Sequence, residues 1–303
     1  MKIHRRNIKY KYHRIGAGII VFIAALSLVL VNLPRAQASQ LNKKYSFIKT
    51  NYTVPTSNVA WVAPNGNDTS GNGSESSPYA TFKKALSSIS NGGTVVAKSG
   101  IYREPHFFIS GDNVTIQAAP GAEVWLKGSD VVNSWTSENG IWKTTGNYHN
   151  FCHVCTTNAN PSVEGAAAYP EQVFINDEPL KQVKTKAEVT PGSNTFYVED
   201  NTPTTLKTPN NNADGYNIGQ QDAISYYIGK NPASGVTEIS ERARAFTSTG
   251  KNVSVKGINV AQYSPVQVWG FKDPYDPAAD RGVYSGPTAV SINGSGSLVQ
   301  DMI

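Results

Sequence analysis

The sequence contains few leucines and few charged residues. Beyond residue 38 there are six leucines, and charged residues make up 16% of the 303-residue chain, against a usual ~25%. This scarcity excludes a helical bundle, in which apolar stripes face a core and charges face the solvent. The formal charge of +5 is unevenly placed, because residues 1–38 hold seven bases and no acids, and the remainder carries 20 bases against 22 acids. A nearly neutral body gives no electrostatic reason to expect nucleic acid or an anionic membrane as the main partner.

Several catalytic and nucleotide-binding motifs are also missing from the sequence. It contains no P-loop, dinucleotide fingerprint, nucleophile elbow or His-Glu-x-x-His segment. What is abundant is Gly (26 residues), Pro (17) and Tyr (15), together with many Asn, Ser and Thr. Such a composition is typical of short strands joined by tight turns, so the sequence predicts an all-β protein.

The N-terminal 38 residues have the features of an export signal. A basic run precedes 19 almost wholly apolar residues, Ile15 to Leu33, and Ala36-Gln37-Ala38 supplies small residues for cleavage. The apolar run is also long enough to span a bilayer, so an uncleaved anchor is the alternative. Either way the body is expected outside the cytoplasm, secreted or at the cell surface, with residues 39–58 as a polar linker and the membrane contacted only through the N-terminal segment.

The two cysteines lie close together, at Cys152 and Cys155. In an exported chain a disulfide is the expected state, although two intervening residues make a small ring. His149 precedes the pair by three residues, so a zinc site of His149, Cys152 and Cys155 is an alternative. A thioredoxin-like role fits less well, since no strand–helix context surrounds the motif.

One helix and a succession of short strands are predicted beyond the linker. Ser77 with Pro78 is expected to start the helix, whose apolar stripe includes Phe82. Strand-like segments then recur, with 19 residues separating Val95 from Val114. That spacing suits a solenoid in which each turn contributes one unit to a shared core. Residues 114, 116 and 118 are predicted to face the core, and their polar neighbours the solvent.

The repeat is interrupted at about residues 129–240. This stretch has strand-like segments of its own, separated by Asn- and Pro-rich turns. It is predicted to be an inserted β module within a domain that spans residues 59–303.

These segments resemble exported right-handed parallel β-helix proteins of the pectate-lyase-like superfamily. The resemblance rests on residues 61–68, 77–85, 92–96 and 100–104, and on 170–176, 196–199 and 227–229 within the insertion. It implies an all-β right-handed parallel β-helix with an N-terminal capping α-helix and an inserted β-rich module. The sequence stops inside a strand pattern at residues 298–303 without a capping element, so a C-terminally truncated β-helix is expected.

The resemblance implies two reaction types. Lyases of this kind bind a uronate through calcium and remove a proton with Lys or Arg, whereas hydrolases use two carboxylates across a glycosidic bond. The densest acidic cluster of the repeat region follows the apolar strand 266–269. We predict that its aspartates act as an acid/base pair or hold calcium, mainly through Asp276 and Asp280, with a basic residue as base or uronate clamp and an aromatic residue as a sugar platform. The aspartates are Asp273, Asp276 and Asp280, the basic residue is Arg281 or Lys272, and the aromatic residue is Trp269 or Tyr275. An ordinary solvated loop is the alternative.

Two smaller polar groups have structural explanations. Asn65, Asn67 and Asp68 have oxygens suited to calcium, but turn formation is the better explanation, because Asn and Asp side chains satisfy turn backbones on their own. A surface salt bridge accounts for Arg103 and Glu104 near His106.

The sequence therefore predicts a monomeric exported protein acting on extracellular polysaccharide, either as a lyase or as a glycoside hydrolase. The alternative is a non-catalytic adhesin or carbohydrate-binding protein.

Overall fold

The computed structural model describes residues 47–149, 171–200, 221–264 and 288–303. In these ranges the protein is all-β, with one short α-helix, and none of the helices found there is long and apolar enough to cross a membrane. The elements, in chain order, are β1 (Val59–Val62), α1 (Phe82–Ser88), β2 (Thr94–Ala97), β3 (Gly100–Tyr102), β4 (Phe107–Ile109), β5 (Thr115–Ala118), β6 (Val124–Lys127), β7 (Ser129–Val131), β8 (Thr136–Glu138), β9 (Ile141–His149), β10 (Val173–Ile175), β11 (Glu178–Pro179), β12 (Lys181–Gln182), β13 (Thr195–Asp200), β14 (Gln221–Ile228), β15 (Thr237–Ser240), β16 (Phe246–Ser248), β17 (Ser254–Lys256), β18 (Ile258–Ala261), β19 (Val290–Ile292) and β20 (Leu298–Gln300).

Three sheets consist of parallel strands, and the chain passes through them in a fixed order. The first sheet is β1-β2-β5-β17-β20, the second β3-β6-β18 and the third β4-β16-β19. From β2 onward the chain visits the first, second and third sheet in turn and then repeats, so that each circuit adds one strand to each sheet. This order is consistent with the β-helix class, although the three sheets remain separate hydrogen-bonded units.

The alternation of side chains along β5 directs its apolar residues into the core. Val114, Ile116 and Ala118 are at most 3% exposed, as the period of two predicts. Gln117 differs from the prediction that it faces solvent, since it is 4% exposed. The reason is that the N-terminal segment covers this face of the sheet, where Gln117 Nε2 donates a 3.1 Å hydrogen bond to the Thr53 carbonyl.

The predicted helix exists, but it begins four residues later than expected from its sequence. The N-cap is Thr81, whose hydroxyl accepts a 3.1 Å hydrogen bond from Lys84 N, rather than Ser77. Asp68 holds the preceding residues outside the helix, because its carboxylate accepts hydrogen bonds from Ala80 N and from the Thr81 amide and hydroxyl. Pro78 therefore belongs to the loop, where its carbonyl accepts from Asn67 N.

Aromatic rings connect α1 to successive circuits. Phe82 stacks on Phe107 with ring centroids 5.5 Å apart, and Phe107 stacks on Phe246 at 5.6 Å. All three rings are nearly inaccessible to solvent. The helix thus covers the apolar end of the first circuit, and its face is part of the same core as the three parallel sheets.

The circuits approach each other most closely where the chain leaves the third sheet. Gly111, Gly250 and Gly294 each lie two residues after a strand of that sheet. A Cβ on Gly250 would lie 2.1 Å from the Gly111 carbonyl oxygen, and one on Gly294 would lie 1.6 Å from that of Gly250. Only glycine allows backbones to stack this closely, so the recurrence of glycine follows from the repeat of the fold.

Residues 129–240 contain two further sheets, β11-β10-β15-β7 and β12-β13-β14-β9-β8. Their strand pairs are antiparallel except for β12 with β13. They have an apolar core of their own that includes Phe196, Tyr226 and Ile239. We call these strands the β module. It leaves the parallel sheets after β6 and returns to them before β16.

A buried ionic network, which we call the junction network, joins the β module to the parallel sheets. Lys127 Nζ lies 2.5 Å from Asp177 Oδ1 and 2.7 Å from Glu238 Oε2, and all three side chains are at most 2% exposed. Arg103 contacts the other oxygen of Glu238. Burial acts to raise the pKa of Glu238, but Lys127 and Arg103 lower it, and the net direction is downward. The carboxylate of Glu238 is therefore held in its charged form.

The surface salt bridge predicted for Arg103 and Glu104 is wrong. Arg103 pairs with Glu238 of the β module instead. Glu104 is buried against α1, where its oxygens accept hydrogen bonds from Phe82 N and Lys83 N at 3.1 and 3.4 Å. His106 contacts the Thr247 hydroxyl at 3.0 Å. All three residues lie in the connection between β3 and β4, and their side chains have three different partners.

Candidate active site

A cleft of about 390 Å³ opens between the two sheets of the β module, within the size range of small-molecule sites. One wall is formed by β7 and the residues that follow it, and the other by β9. The lining residues are Asp130, Val131, Val132, Asn133, Ser134, Thr144, Thr145, Gly146, Asn147, Tyr148 and Glu241. Among them are two carboxylates, one from each end of the β module.

Glu241 is the more buried carboxylate of this cleft. Glu241 directly follows β15, and its backbone amide donates a 2.8 Å hydrogen bond to the Gly128 carbonyl. Its Oε2 accepts a 2.9 Å hydrogen bond from the His149 backbone amide, and its Oε1 is buried without a hydrogen-bond partner in the described part of the chain. Burial is the main cause that raises the pKa of Glu241 to about 7, and the charge of Asp130 adds to it. Near neutral pH this side chain can therefore carry a proton and donate it.

Asp130 is held differently. Arg242 donates to both of its oxygens, from Nη1 at 2.9 Å and from Nη2 at 3.1 Å. This is the two-point geometry in which a guanidinium binds a carboxylate most strongly. The side chain of Asp130 is 44% exposed, so it remains accessible from the cleft. The cleft thus combines a buried carboxyl group with a more exposed one that is paired with a guanidinium.

Tyr148 forms part of the wall beside Glu241. Its hydroxyl lies 2.8 Å from the Thr144 hydroxyl, and its ring packs edge-on against Tyr226 with centroids 5.0 Å apart. Burial raises the pKa of Tyr148, and the charge of Glu241 contributes, so the phenol stays protonated. The rest of the polar lining consists of neutral hydroxyl and amide groups, which suit the hydroxyls of a sugar.

Glu104 is a second carboxyl group with a pKa of about 7, raised mainly by burial. Because the folded protein binds this proton more readily than the unfolded chain, Glu104 stabilises the fold increasingly as the pH falls from 7 towards 4.5. His149, whose pKa burial lowers to about 4, acts in the opposite direction. The effect of Glu104 must therefore be measured as a difference between two variants.

We expect that wild type gains about 2 kcal/mol in the free energy of unfolding relative to Glu104→Gln when the pH falls from 7 to 5. Urea denaturation of both proteins at the two pH values measures this difference. Glu75→Gln, at an exposed loop position, is the matched control and should track the wild type. A difference between wild type and Glu104→Gln that does not change with pH contradicts the raised pKa of Glu104.

The residues predicted as a site from the sequence lie outside the described ranges. This applies to the acidic loop with Asp273, Asp276, Asp280 and Arg281, and to Trp269, Lys272 and Tyr275. It applies equally to Cys152 and Cys155, so the disulfide and the zinc alternative stay predictions. His149 is described, and burial together with the charge of Arg242 keeps its imidazole neutral.

Asn67 and Asp68, which have oxygens suited to calcium, accept hydrogen bonds within the loop before α1. In the parts of the chain that the structure describes, no group of three or more His, Cys, Asp or Glu side chains is placed to hold a metal ion. Asn67 Oδ1 accepts hydrogen bonds from Thr69 N and Ser70 N, and both oxygens of Asp68 accept from residues 80 and 81. These groups shape the loop before α1, in agreement with their explanation as turn formers. Calcium at Asp276 and Asp280 remains a prediction.

The cleft carboxylates were missed by sequence reasoning, although one signal pointed to them. Asp130 and Glu241 lie within one residue of the bounds predicted for the insertion, 129 and 240. An insertion that leaves and re-enters a fold at one place brings its two ends together, and β7 does pair with β15. Carboxylates at the two ends of an insertion are therefore expected to meet.

No protein-family model matches the sequence, and no curated protein matches it either. Among solved structures, XylC in complex with xylose is similar with a TM-score of 0.50 and 19% identity, over 68% of this chain and 35% of XylC. A glycoside hydrolase is similar with a TM-score of 0.41 and 12% identity, over 69% of this chain and 51% of the hydrolase. The second TM-score is too low to assign a shared fold. The protein therefore shares a fold with part of XylC, and at this identity the likeness extends to the fold alone.

Proposed function

We propose that the protein is a carbohydrate-active enzyme that hydrolyses glycosidic bonds in the cleft between Asp130 and Glu241. The observation that carries the proposal is the unlike environment of the two carboxyl groups. Burial raises the pKa of Glu241 to about 7, whereas Asp130 is more exposed and is paired at two points with the Arg242 guanidinium. Glycoside hydrolysis needs this pair, one group to protonate the leaving oxygen and one to act on the anomeric carbon.

The proposed reaction proceeds from the proton on Glu241. Glu241 donates it to the glycosidic oxygen while the bond from that oxygen to the anomeric carbon breaks. The positive charge that develops on the sugar ring is stabilised by Asp130, which serves as nucleophile or as base for water. Water supplies the hydroxyl group of the product, and its second proton returns to a carboxylate. Tyr148 and the neutral hydroxyl and amide groups of the wall orient the sugar by hydrogen bonds.

We further propose the architecture and location that the sequence predicts. The parallel sheets would form a right-handed β-helix, and residues 1–38 would export the protein to act on extracellular polysaccharide. The β-helix is supported by the order in which the chain passes through the three sheets and by the stacked glycines. XylC is bound to xylose, so a xylose-containing glycan is the first substrate to try.

A direct assay separates the proposal from its alternatives. The protein is incubated with xylan and with polygalacturonate, with calcium or with chelator, and both reducing ends and ultraviolet absorbance are followed. We expect new reducing ends without absorbance, and no effect of chelator. Absorbance from an unsaturated product would indicate a lyase instead. Glycan binding without cleavage would indicate the adhesin or binding protein.

A further inference from the structure

We infer that the ion pair of Asp130 with Arg242 excludes acidic sugars from the cleft, so that its substrates are neutral glycans. The inference rests on the proposed function and specifies its substrate class. It follows from the charges around the cleft and from what each neighbouring cation is bonded to.

The ionisable side chains that line the cleft are acidic, and Arg242, the base that pairs with Asp130, is not itself a lining residue. In the portion of the chain that the structure describes, the charged lining residues are Asp130 and Glu241, and the other lining residues are uncharged. A uronate carboxylate entering this space would lie beside Asp130 and disfavour the charged form of Glu241 still further. Like charges placed together in a partly desolvated site weaken binding strongly.

Arg242 is the cation best placed to bind a uronate, but its guanidinium is occupied. Both terminal nitrogens donate to Asp130, and Nη1 also lies 3.4 Å from the Gly128 carbonyl. A substrate carboxylate could take the two-point contact with Nη1 and Nη2 only by displacing Asp130. Asp130 therefore has two roles in the proposed site, as the second carboxylate of the reaction and as the group that prevents Arg242 from binding acids.

Four other basic side chains, Lys127, Arg103, Lys143 and Arg244, are not lining residues of the cleft. Lys127 and Arg103 belong to the junction network, where they pair with buried carboxylates. Lys143 lies on β9, but its ammonium is over the Tyr227 ring, 5.3 Å from the centroid. Arg244 is close enough to His106, before the third sheet, to lower the pKa of that imidazole.

The test measures binding rather than turnover. Xylo-oligosaccharide and oligogalacturonate of equal length are titrated by calorimetry at low salt into Glu241→Gln, a background in which cleavage is slowed by about 100-fold or more and the ion pair is retained. We expect the neutral sugar to bind at least about tenfold more tightly. Adding Asp130→Asn should release Arg242 and strengthen oligogalacturonate binding by about tenfold. Adding Arg242→Gln to that variant should abolish the gain.

Each outcome has a distinct meaning. Equal or tighter binding of oligogalacturonate in the Glu241→Gln background overturns the exclusion of acids while leaving a glycan site in place. A lack of any gain with Asp130→Asn, in a variant that still binds the neutral sugar, overturns the role of the ion pair. If neither sugar binds, the proposed function fails first and the inference with it. Arg242→Gln alone gives a second check, because it leaves Asp130 unpaired and should weaken oligogalacturonate binding further.

Discussion

Glu241→Gln is expected to lower the rate of glycoside hydrolysis by about 10²- to 10⁴-fold, the usual contribution of a positioned general acid. Glutamine keeps the size of the side chain and can still accept the 2.9 Å hydrogen bond from the His149 amide. It cannot donate an acidic proton to a leaving oxygen. The loss should therefore appear in the rate at saturating substrate, with substrate binding retained.

The pH profile of the same reaction gives an independent check. Since burial raises the pKa of Glu241 to about 7, the wild-type rate should fall as the pH rises through 7, when the proton is lost. Asp130→Asn removes a nearby negative charge and should therefore lower the pKa of Glu241. Any residual activity of this variant should fall at a lower pH than the wild-type rate does.

Initial rates of reducing-end release, measured from pH 5 to pH 9, test both expectations. Glu75→Gln, which changes an exposed glutamate on the loop before α1, is the matched control and should retain the wild-type rate. Full activity of Glu241→Gln contradicts the assignment of the acid. A flat profile across neutral pH contradicts its raised pKa.

Lys127→Met is expected to lower the free energy of unfolding by about 3–5 kcal/mol, the range observed when one member of a buried ion pair is removed. Lys127 is inaccessible to solvent and contacts both Asp177 and Glu238. Methionine fills a similar volume, so the loss arises from the carboxylates left without their cation rather than from a cavity. Asp177 is affected most, because Glu238 retains Arg103.

A second variant identifies the cause of that loss. Lys127→Met with Asp177→Asn removes one charge of each sign and leaves Arg103 paired with Glu238, so it should recover a large part of the stability. Lys251→Met, at an exposed position, is the control and should stay within about 0.5 kcal/mol of wild type. Urea denaturation measures all three. Equal effects of Lys127→Met and Lys251→Met would contradict the buried network, and the absence of any recovery would contradict its ionic origin.

The parts of the fold that sequence could predict are those governed by local periodicity. The burial of Val114, Ile116 and Ala118 follows from the period of two along a strand, and no distant residue changes it. The apolar stripe containing Phe82 predicted α1 for the same reason. The start of α1 was misplaced because Asp68, outside the helix, holds residues 80 and 81 in the loop.

The polar contacts could not be predicted, because their partners are distant in sequence. Lys127 is separated by 50 residues from Asp177 and by 111 from Glu238. Nothing near Lys127 distinguishes it from a lysine at a strand end that reaches solvent. The same holds for Arg242 and Asp130, which are 112 residues apart. The pairing of β15 with β10 and with β7 brings these residues together.

The unlike carboxylates of the cleft and their action on a neutral sugar are tested most directly by a crystal structure of Glu241→Gln with a bound xylo-oligosaccharide. We predict a glycosidic oxygen within hydrogen-bond distance of the residue 241 side chain, with Asp130 beside the anomeric carbon and still paired with Arg242. An oligosaccharide bound elsewhere on the protein, with this cleft empty, would contradict the account.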